Sequence, residues 1–164
     1  MTYTEDNLVA LCYFGRVNKL NYKDEKTFAL MLKAANRPQG SVLNQNNLNS
    51  FPCEDLKVID GLWMKYSQGR FGISIQRQIW EEVSRKAENI QDVYRQFGQR
   101  VGWIESTPSG NPIIIQDDID YKLSAPPGHL PVFISSYTLE HGWSDWGRHT
   151  HRDVTFSRAG HCGI

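Results

Sequence analysis

Several groups of residues in this sequence have types and spacings that could carry chemistry. Cys53 lies between Pro52 and Glu54 at the start of a predicted helix, where the positive end of the helix dipole would lower a thiol pKa and prime a nucleophile. Free cysteine more often behaves as a small buried hydrophobe, and Cys53 is expected to pack the first turn. Gly-x-Ser-x-Gly is absent. Gly69-x-x-Gly72 resembles half a phosphate-binding loop, but no Gly-x-Gly-x-x-Gly or Gly-Lys-Ser/Thr follows a convincing strand, so nucleotide chemistry is not expected. His141, His149, His151 and His161 crowd the C-terminal end, with Cys162 beside the last. His149-x-His151 on a strand would point both rings the same way and begin a metal site. No Cys-x-x-Cys or His-x-x-x-His completes it, and a solvated polar tail without a metal is expected. Axial ligation of a metalloporphyrin by one of these histidines stands on the same spacing. Asp117, Asp118 and Asp120 precede Tyr121, and three carboxylates so placed more often solvate and cap a helix than perform acid–base catalysis. No enzyme is expected.

Aromatic and basic residues interleave around glycine-flexed turns: Trp63, Tyr66, Arg70, Phe71, Arg77 and Trp80, then Arg95, Phe97, Arg100 and Trp103. Stacking platforms with nearby cations suit single-stranded nucleic acid. They equally suit a large flat apolar ligand with carboxylates at its rim, where guanidinium groups would hold them. Taken singly, Trp63, Trp80 and Phe97 are expected to be core residues on helical stripes. The charge balance weighs against nucleic acid: 18 Lys+Arg meet 18 Asp+Glu, and the pI is near 7.0, so the chain lacks a broad basic footprint.

The elements that must position these residues are mostly helical. Thr4 caps a first segment bearing Leu8, Leu11 and Cys12, which Gly15 stops. A second helix over Lys23–Asn36 carries Phe28, Met31, Leu32 and Ala35 on one face, and Pro38 closes it. Gln39–Ser50 has loop composition. Pro52 opens the clearest helix, in which Leu56, Ile59, Trp63 and Tyr66 form one stripe ended by Gly69. Phe71, Ile73 and Ile75 alternate as a strand would, yet the two glycines favour a turn. Ser74 is then the expected cap of a helix carrying Ile75, Ile79, Trp80 and Val83. Asn89 and Asp92 form an approximate capping box for another with Ile90, Val93, Tyr94 and Phe97. Beyond Gly102 turns and loops are expected, including a short apolar run at Ile113–Ile115.

At 164 residues and 40% hydrophobic, one domain spanning 1–164 is expected, with its core over about 20–131 and a His/Trp-rich tail over 132–164. No apolar run approaches the ~20 residues that span a bilayer, and Glu5 and Asp6 do not fit a secretory signal. Cys12, Cys53 and Cys162 are odd in number and widely spaced, which predicts a reducing compartment rather than a disulfide framework.

The run Phe51-Pro-Cys-Glu-Asp-Leu56, continuing through Ile59-Asp60-x-Leu62-Trp63-x-Lys65-Tyr66-Ser67-x-Gly69-Arg70-Phe71-Gly72-x-Ser74-x-Gln76, resembles the signature of the genomes-uncoupled-four tetrapyrrole-binding family. Phe97-Gly98-x-Arg100-Val101-Gly102-Trp103 and Ala125-Pro-Pro-Gly-His129-Leu-Pro131 are similar to the same family in the same order. Phe156-Ser157-Arg158 with Cys162 resembles the tail of some cyanobacterial paralogues. The resemblance implies an all-α domain shaped like a cupped hand, whose apolar groove holds protoporphyrin IX, its magnesium chelate or a linear bilin. It implies a non-enzymatic carrier or regulator of chlorophyll biosynthesis, with a magnesium-chelatase subunit as the possible protein partner, or a bilin-sensing paralogue. A protein-interaction module using the same groove for a partner helix is the alternative from another class. Cytoplasmic location, with peripheral association at thylakoid membranes, goes with the resemblance. By position, the tetrapyrrole contacts would be Met64, Phe71, Ile73 and Ile75 in the palm, Arg70 and Arg100 for the propionates, Trp103 closing over the ring, and Tyr121 and Leu123 before the Ala-Pro-Pro-Gly-His run. From Val132 to His151 the chain departs from the family pattern.

Overall fold

The computed structural model describes residues 20–106, 112–114, 119–132 and 151–164. The helix expected after Thr4, the thiol of Cys12, and His141 and His149 all lie outside those residues. The described part is mostly helical, as expected. Its elements are α1 (Leu20–Ala34), α2 (Gln45–Asn49), α3 (Cys53–Tyr66), α4 (Ile73–Ser84), α5 (Ile90–Arg100), β1 (Ile104–Ser106), β2 (Pro112–Ile114) and α6 (His151–His161). The two strands pair antiparallel, with Ile104 opposite Ile114. Where loop was expected after Gly102, this short ribbon uses the β-branched side of the sequence, including part of the Ile113–Ile115 run.

Helix α1 starts three residues before the predicted boundary. It ends at Ala34, and two residues on Asn36, with φ of 53°, turns the chain and lets the Arg37 amide reach back to the Leu32 carbonyl at 2.8 Å. That left-handed residue is what stops the helix, ahead of Pro38. Helix α2 lies within the asparagine-rich segment expected to be a loop. Asn44 and Asn47 cap it reciprocally, each side chain accepting from the other's backbone amide, and buried Leu48 pins it to the core. Five residues can be helical here because both ends of the first turn are satisfied.

Of the stripe predicted on α3, Leu56, Ile59 and Trp63 are buried and Tyr66 is half-buried, and Pro52 stands immediately before the helix. The Trp63 indole donates to Thr27 Oγ1 on α1 at 3.1 Å, tying those two helices. Helix α4 buries Ile73, Gln76, Ile79, Trp80 and Val83. It does not begin as expected, because Ser74 lies inside the helix and does not cap it. Asp60, from the middle of α3, accepts from both the amide and the hydroxyl of Ser74 at 2.8 and 3.1 Å. The cap is thus imported from 14 residues earlier, beyond the range of any local capping pattern. Helix α5 is capped locally as predicted, with the Asp92 amide donating to Asn89 at 2.9 Å.

The C-terminal stretch is the largest departure. It was expected as a solvated tail, yet α6 packs against α2 and α4 and buries Arg152, Thr155, Phe156 and Ala159. Phe156 enters an aromatic cluster with Trp80 and Phe97, at centroid distances of 5.6 and 5.8 Å, and Phe97 meets Trp103 edge-on at 5.6 Å. Cys162, at the end of this helix, forms a disulfide with Cys53 at the start of α3. This overturns the expectation of reduced cysteines. The two are 109 residues apart, so only the docking of α6 brings them together, and no spacing rule could show it.

Candidate functional site

The family-like motifs of the sequence converge on one scaffold, a glycine turn between α3 and α4 clasped by the segment 125–131. Ser67 closes the turn, its hydroxyl oxygen accepting from the amides of Arg70 and Phe71 at 3.1 and 2.8 Å. Gln68 and Gly69 take positive φ, at 56° and 79°, and Gly72 takes φ 140°. Two backbone bonds then join the turn to the later segment, from the Gly128 amide to the Arg70 carbonyl (2.8 Å) and from the Gly72 amide to the Leu130 carbonyl (3.1 Å). Buried Gln76 spans the same segment, its amide nitrogen donating to the Gly128 and Pro131 carbonyls at 2.9 and 2.8 Å. From the other side, the Trp103 indole donates to the His129 carbonyl at 2.8 Å.

His129 is buried and both ring nitrogens are engaged. Nε2 accepts from the Asp120 amide at 3.1 Å, so Nδ1 carries the proton and donates to the Val101 carbonyl at 2.6 Å. Burial pushes its pKa below the ordinary imidazole value, against the opposing pull of the Val101 carbonyl and Asp120. The ring is therefore a neutral crosslink between the end of α5 and the stretch that carries Tyr121 and Leu123. Under this scaffold lies Arg152, its guanidinium 5.0 Å from the Trp103 ring centre and 5.9 Å from that of Phe97. Complete burial pulls its pKa down to about 10, with Tyr94 and Asp153 working the other way. It remains a cation at neutral pH, facing two aromatic rings. Its neighbour Asp153 accepts from the Tyr94 hydroxyl at 3.1 Å. Burial raises the pKa of Asp153, while the same burial and the adjacent carboxylate raise that of Tyr94.

The sequence-predicted site residues separate by exposure. Phe71, Ile73 and Trp103 are 0% exposed; they form the floor of the scaffold, and Phe71 packs edge-on against Trp63 at 6.5 Å. Helical geometry from Ile73 onward places Ile73 inward and Ile75 partly outward, so the two do not share a strand-like wall. Met64, Arg70, Ile75 and Tyr121 are half-buried, and Leu123 is 44% exposed. Met64 lies against Gly72, where an added Cβ would stand 3.4 Å from its Cγ. Arg70 reaches across to the Ala125 carbonyl at 2.7 Å, and its buried Nε has no hydrogen-bond partner among the described residues. Arg100 lies apart, exposed and paired with Glu82 at 3.0 Å. The other interleaved cations are also engaged, Arg77 with Glu81 at 2.6 Å and Arg95 with Asp92. The rings interleaved with them, Trp63, Phe71, Trp80, Phe97 and Trp103, are consumed by the core, which removes them as stacking platforms for nucleic acid. Sequence reasoning missed Gln76 and His129 as scaffold residues and Asp60 as a cap. Gln76 and His129 both stand inside the motifs that carry the family resemblance, so motif membership was the available signal.

Among the described residues no group of three His, Cys, Asp or Glu side chains is placed to hold a metal ion. No helix among them is long and apolar enough to cross a membrane. What the geometry defines is a class: a helical domain whose glycine turn is hydrogen-bonded to a later segment of the chain. The chain belongs to the GUN4-like family, whose profile matches residues 16–145. It is 30% identical over 132 residues to the Ycf53 protein of Pyropia yezoensis, which covers 70% of this chain and 51% of that one. Over 85 residues it is 35% identical to the chloroplastic tetrapyrrole-binding protein of Arabidopsis thaliana, covering 48% of this chain and 29% of that one. The ligand-free structure of Arabidopsis thaliana GUN4 superposes with a TM-score of 0.67 at 26% identity, covering 96% of this chain and 94% of the other. The chain spans about half the length of the first of these curated relatives.

Proposed function

We propose that this chain binds a porphyrin or magnesium porphyrin without transforming it, as a carrier or regulator in chlorophyll biosynthesis that presents the ligand to a magnesium-chelatase subunit. Membership of the GUN4-like family over 16–145 carries the reading, because that span contains every residue of the glycine-turn scaffold. Met64, Ile75, Tyr121 and Leu123 offer apolar surface still partly open to solvent, and covering it with a flat macrocycle releases about 25 cal/mol per Å² of apolar area. Arg70, half-buried and donating one amino group to the Ala125 carbonyl, is the candidate for a propionate because guanidinium binds carboxylate in a fork. Arg100, committed to Glu82, would have to give up that pair to do the same.

Titration with deuteroporphyrin and its magnesium chelate, followed by Soret shift and tryptophan quenching, tests the reading. Saturable binding is expected, and Leu123→Glu or Ile75→Glu should weaken it by about tenfold or more, equivalent to about 1.4 kcal/mol, at unchanged thermal midpoint. A folded protein that gives no saturable shift with either porphyrin overturns it. Saturable bands with a linear bilin alone reassign the ligand to the open-chain class.

A further inference from the structure

The Cys53–Cys162 bridge has no part in the proposed ligand site, and its surroundings give it a different character from a buried staple. Cys162 is buried, whereas Cys53 is only partly covered at the first turn of α3. Two further contacts hold the same end of α6. Arg158 Nε donates to the Phe51 carbonyl at 2.8 Å, and Arg77 Nη1 donates to the Ile164 carbonyl at 2.6 Å. Gly160 lets the last turn lie close on α4, since a Cβ there would stand 3.2 Å from the Arg77 guanidinium. All of these attachments fall between Arg158 and Ile164, on a short helix otherwise anchored through Arg152, Thr155, Phe156 and Ala159.

We propose that Cys53–Cys162 is a thiol–disulfide exchange site, through which a dithiol reductant controls the docking of the C-terminal helix. Access selects Cys53 Sγ as the sulfur attacked. One thiolate of the reductant forms a mixed disulfide with Cys53 and expels Cys162 as a thiolate, which takes a proton from water. The second thiolate of the reductant closes on the first, releasing Cys53 as a thiolate that is protonated in turn. The protein gains two electrons and two protons, and the dithiol is oxidised to its own disulfide. Reduction leaves the end of α6 held by two hydrogen bonds and the packing of Ala159 and Ile164, with no covalent tie. A crosslink spanning 109 residues also constrains the open ensemble strongly, so its loss favours local opening of the helix it anchors.

The test uses the full chain carrying Cys12→Ser, so that the third thiol cannot shuffle disulfides. Intact mass after maleimide labelling of native, air-oxidised protein should show no free thiol, and millimolar dithiothreitol should expose two within minutes. Hydrogen exchange should then show amide protection in α6 falling by about tenfold or more, equivalent to about 1.4 kcal/mol of local opening, with α3 to α5 unchanged. Cys162→Ser should reproduce that pattern in oxidising buffer. Free thiols in the oxidised protein, reduction only after denaturation, unchanged α6 protection, or unfolding of the whole domain on reduction would each overturn the proposal. Since the reduced wild type carries the same measurement, a Cys162→Ser chain that fails to fold does not remove the test.

Discussion

At the scale of single residues, the decisive side chains are polar ones buried inside the scaffold. His129 accepts at one nitrogen and donates at the other, a pattern that only the neutral ring can satisfy. Protonation would turn Nε2 from acceptor to donor and set it against the Asp120 amide. Among the described residues few charges act on it. Asp120 on its own segment favours the protonated form, Val101 and Gly102 at the end of α5 present only backbone, and Arg152 lies across the Trp103 ring. Because its folded pKa is depressed, His129 takes up its proton more readily in the unfolded chain. Stability is therefore complete above the unfolded value of about 6.5 and declines as pH falls through the folded one. Asp153, whose folded pKa is raised, has the opposite sign: its contribution is present at low pH and lost as pH rises through its folded value. The difference between variants isolates the histidine. Urea denaturation of wild type and His129→Gln between pH 7.5 and 5 should show the wild type losing stability the more steeply, because glutamine has no proton to take up. Parallel pH profiles would remove His129 as the source. Arg70 makes a second residue-scale prediction, on affinity. Arg70→Gln should weaken porphyrin binding several-fold and reduce its salt dependence, because a zero net charge leaves the attraction for a dianion to local cations. Equal affinity for a porphyrin diester and the free diacid in the wild type would argue against that role.

At the scale of elements, the glycine turn and the start of α4 act as one unit. Gly72 adopts φ 140°, and a Cβ there would stand 2.8 Å from Asp60 Oδ1, the atom that caps Ser74. Gly72→Ala thus combines backbone strain with displacement of a buried carboxylate, and should destabilise the domain by about 2–4 kcal/mol. Asp60→Ala removes the cap alone and should cost about 1–2 kcal/mol. Chemical denaturation of the two variants and the double mutant checks the shared mechanism. The double mutant should fall short of the sum, whereas strict additivity would show the two effects to be independent. This unit also marks the limit of what the sequence made legible. The stripe of α3, the local cap of α5 and the turn at Gly69–Gly72 could be predicted because their determinants lie within a few residues of one another. The cap of α4 comes from 14 residues away and the partner of Cys53 from 109. Helix α6 was missed because its apolar face is sparse: Phe156 and Ala159 are buried beside Arg152 and Thr155, so hydrophobic periodicity carried little signal. At the candidate site the motif positions were legible, but their division into buried and partly exposed side chains was not. Helix geometry and the clasp of 125–131 decide that Phe71 and Ile73 face inward and Ile75 partly outward.

At the scale of the whole molecule, the C-terminal helix is integrated through aromatic contacts as well as through its disulfide. Phe156 brings α6 to Trp80 of α4 and Phe97 of α5, and Phe97 leads to Trp103, which holds His129 and through it the stretch bearing Tyr121 and Leu123. A continuous set of packed rings and hydrogen bonds therefore runs from the last helix to the rim of the proposed ligand site. Such continuity is spatial, and energetic coupling along it has to be measured. A double-mutant cycle supplies the measurement. Phe97→Leu and Phe156→Leu each keep an apolar side chain of similar bulk, so the interaction energy reports the ring–ring contact at 5.8 Å more than an empty cavity. In oxidised protein, where the disulfide holds α6 in place, urea denaturation should give a coupling of about 0.5–1.5 kcal/mol. In reduced protein the coupling should persist if Phe156 alone anchors the front of the helix, and shrink if the bridge presses that ring into the cluster. Additivity within about 0.3 kcal/mol under oxidising conditions would mean that Phe156 contributes buried area but no specific ring geometry, and that α6 is held chiefly from its disulfide-bonded end.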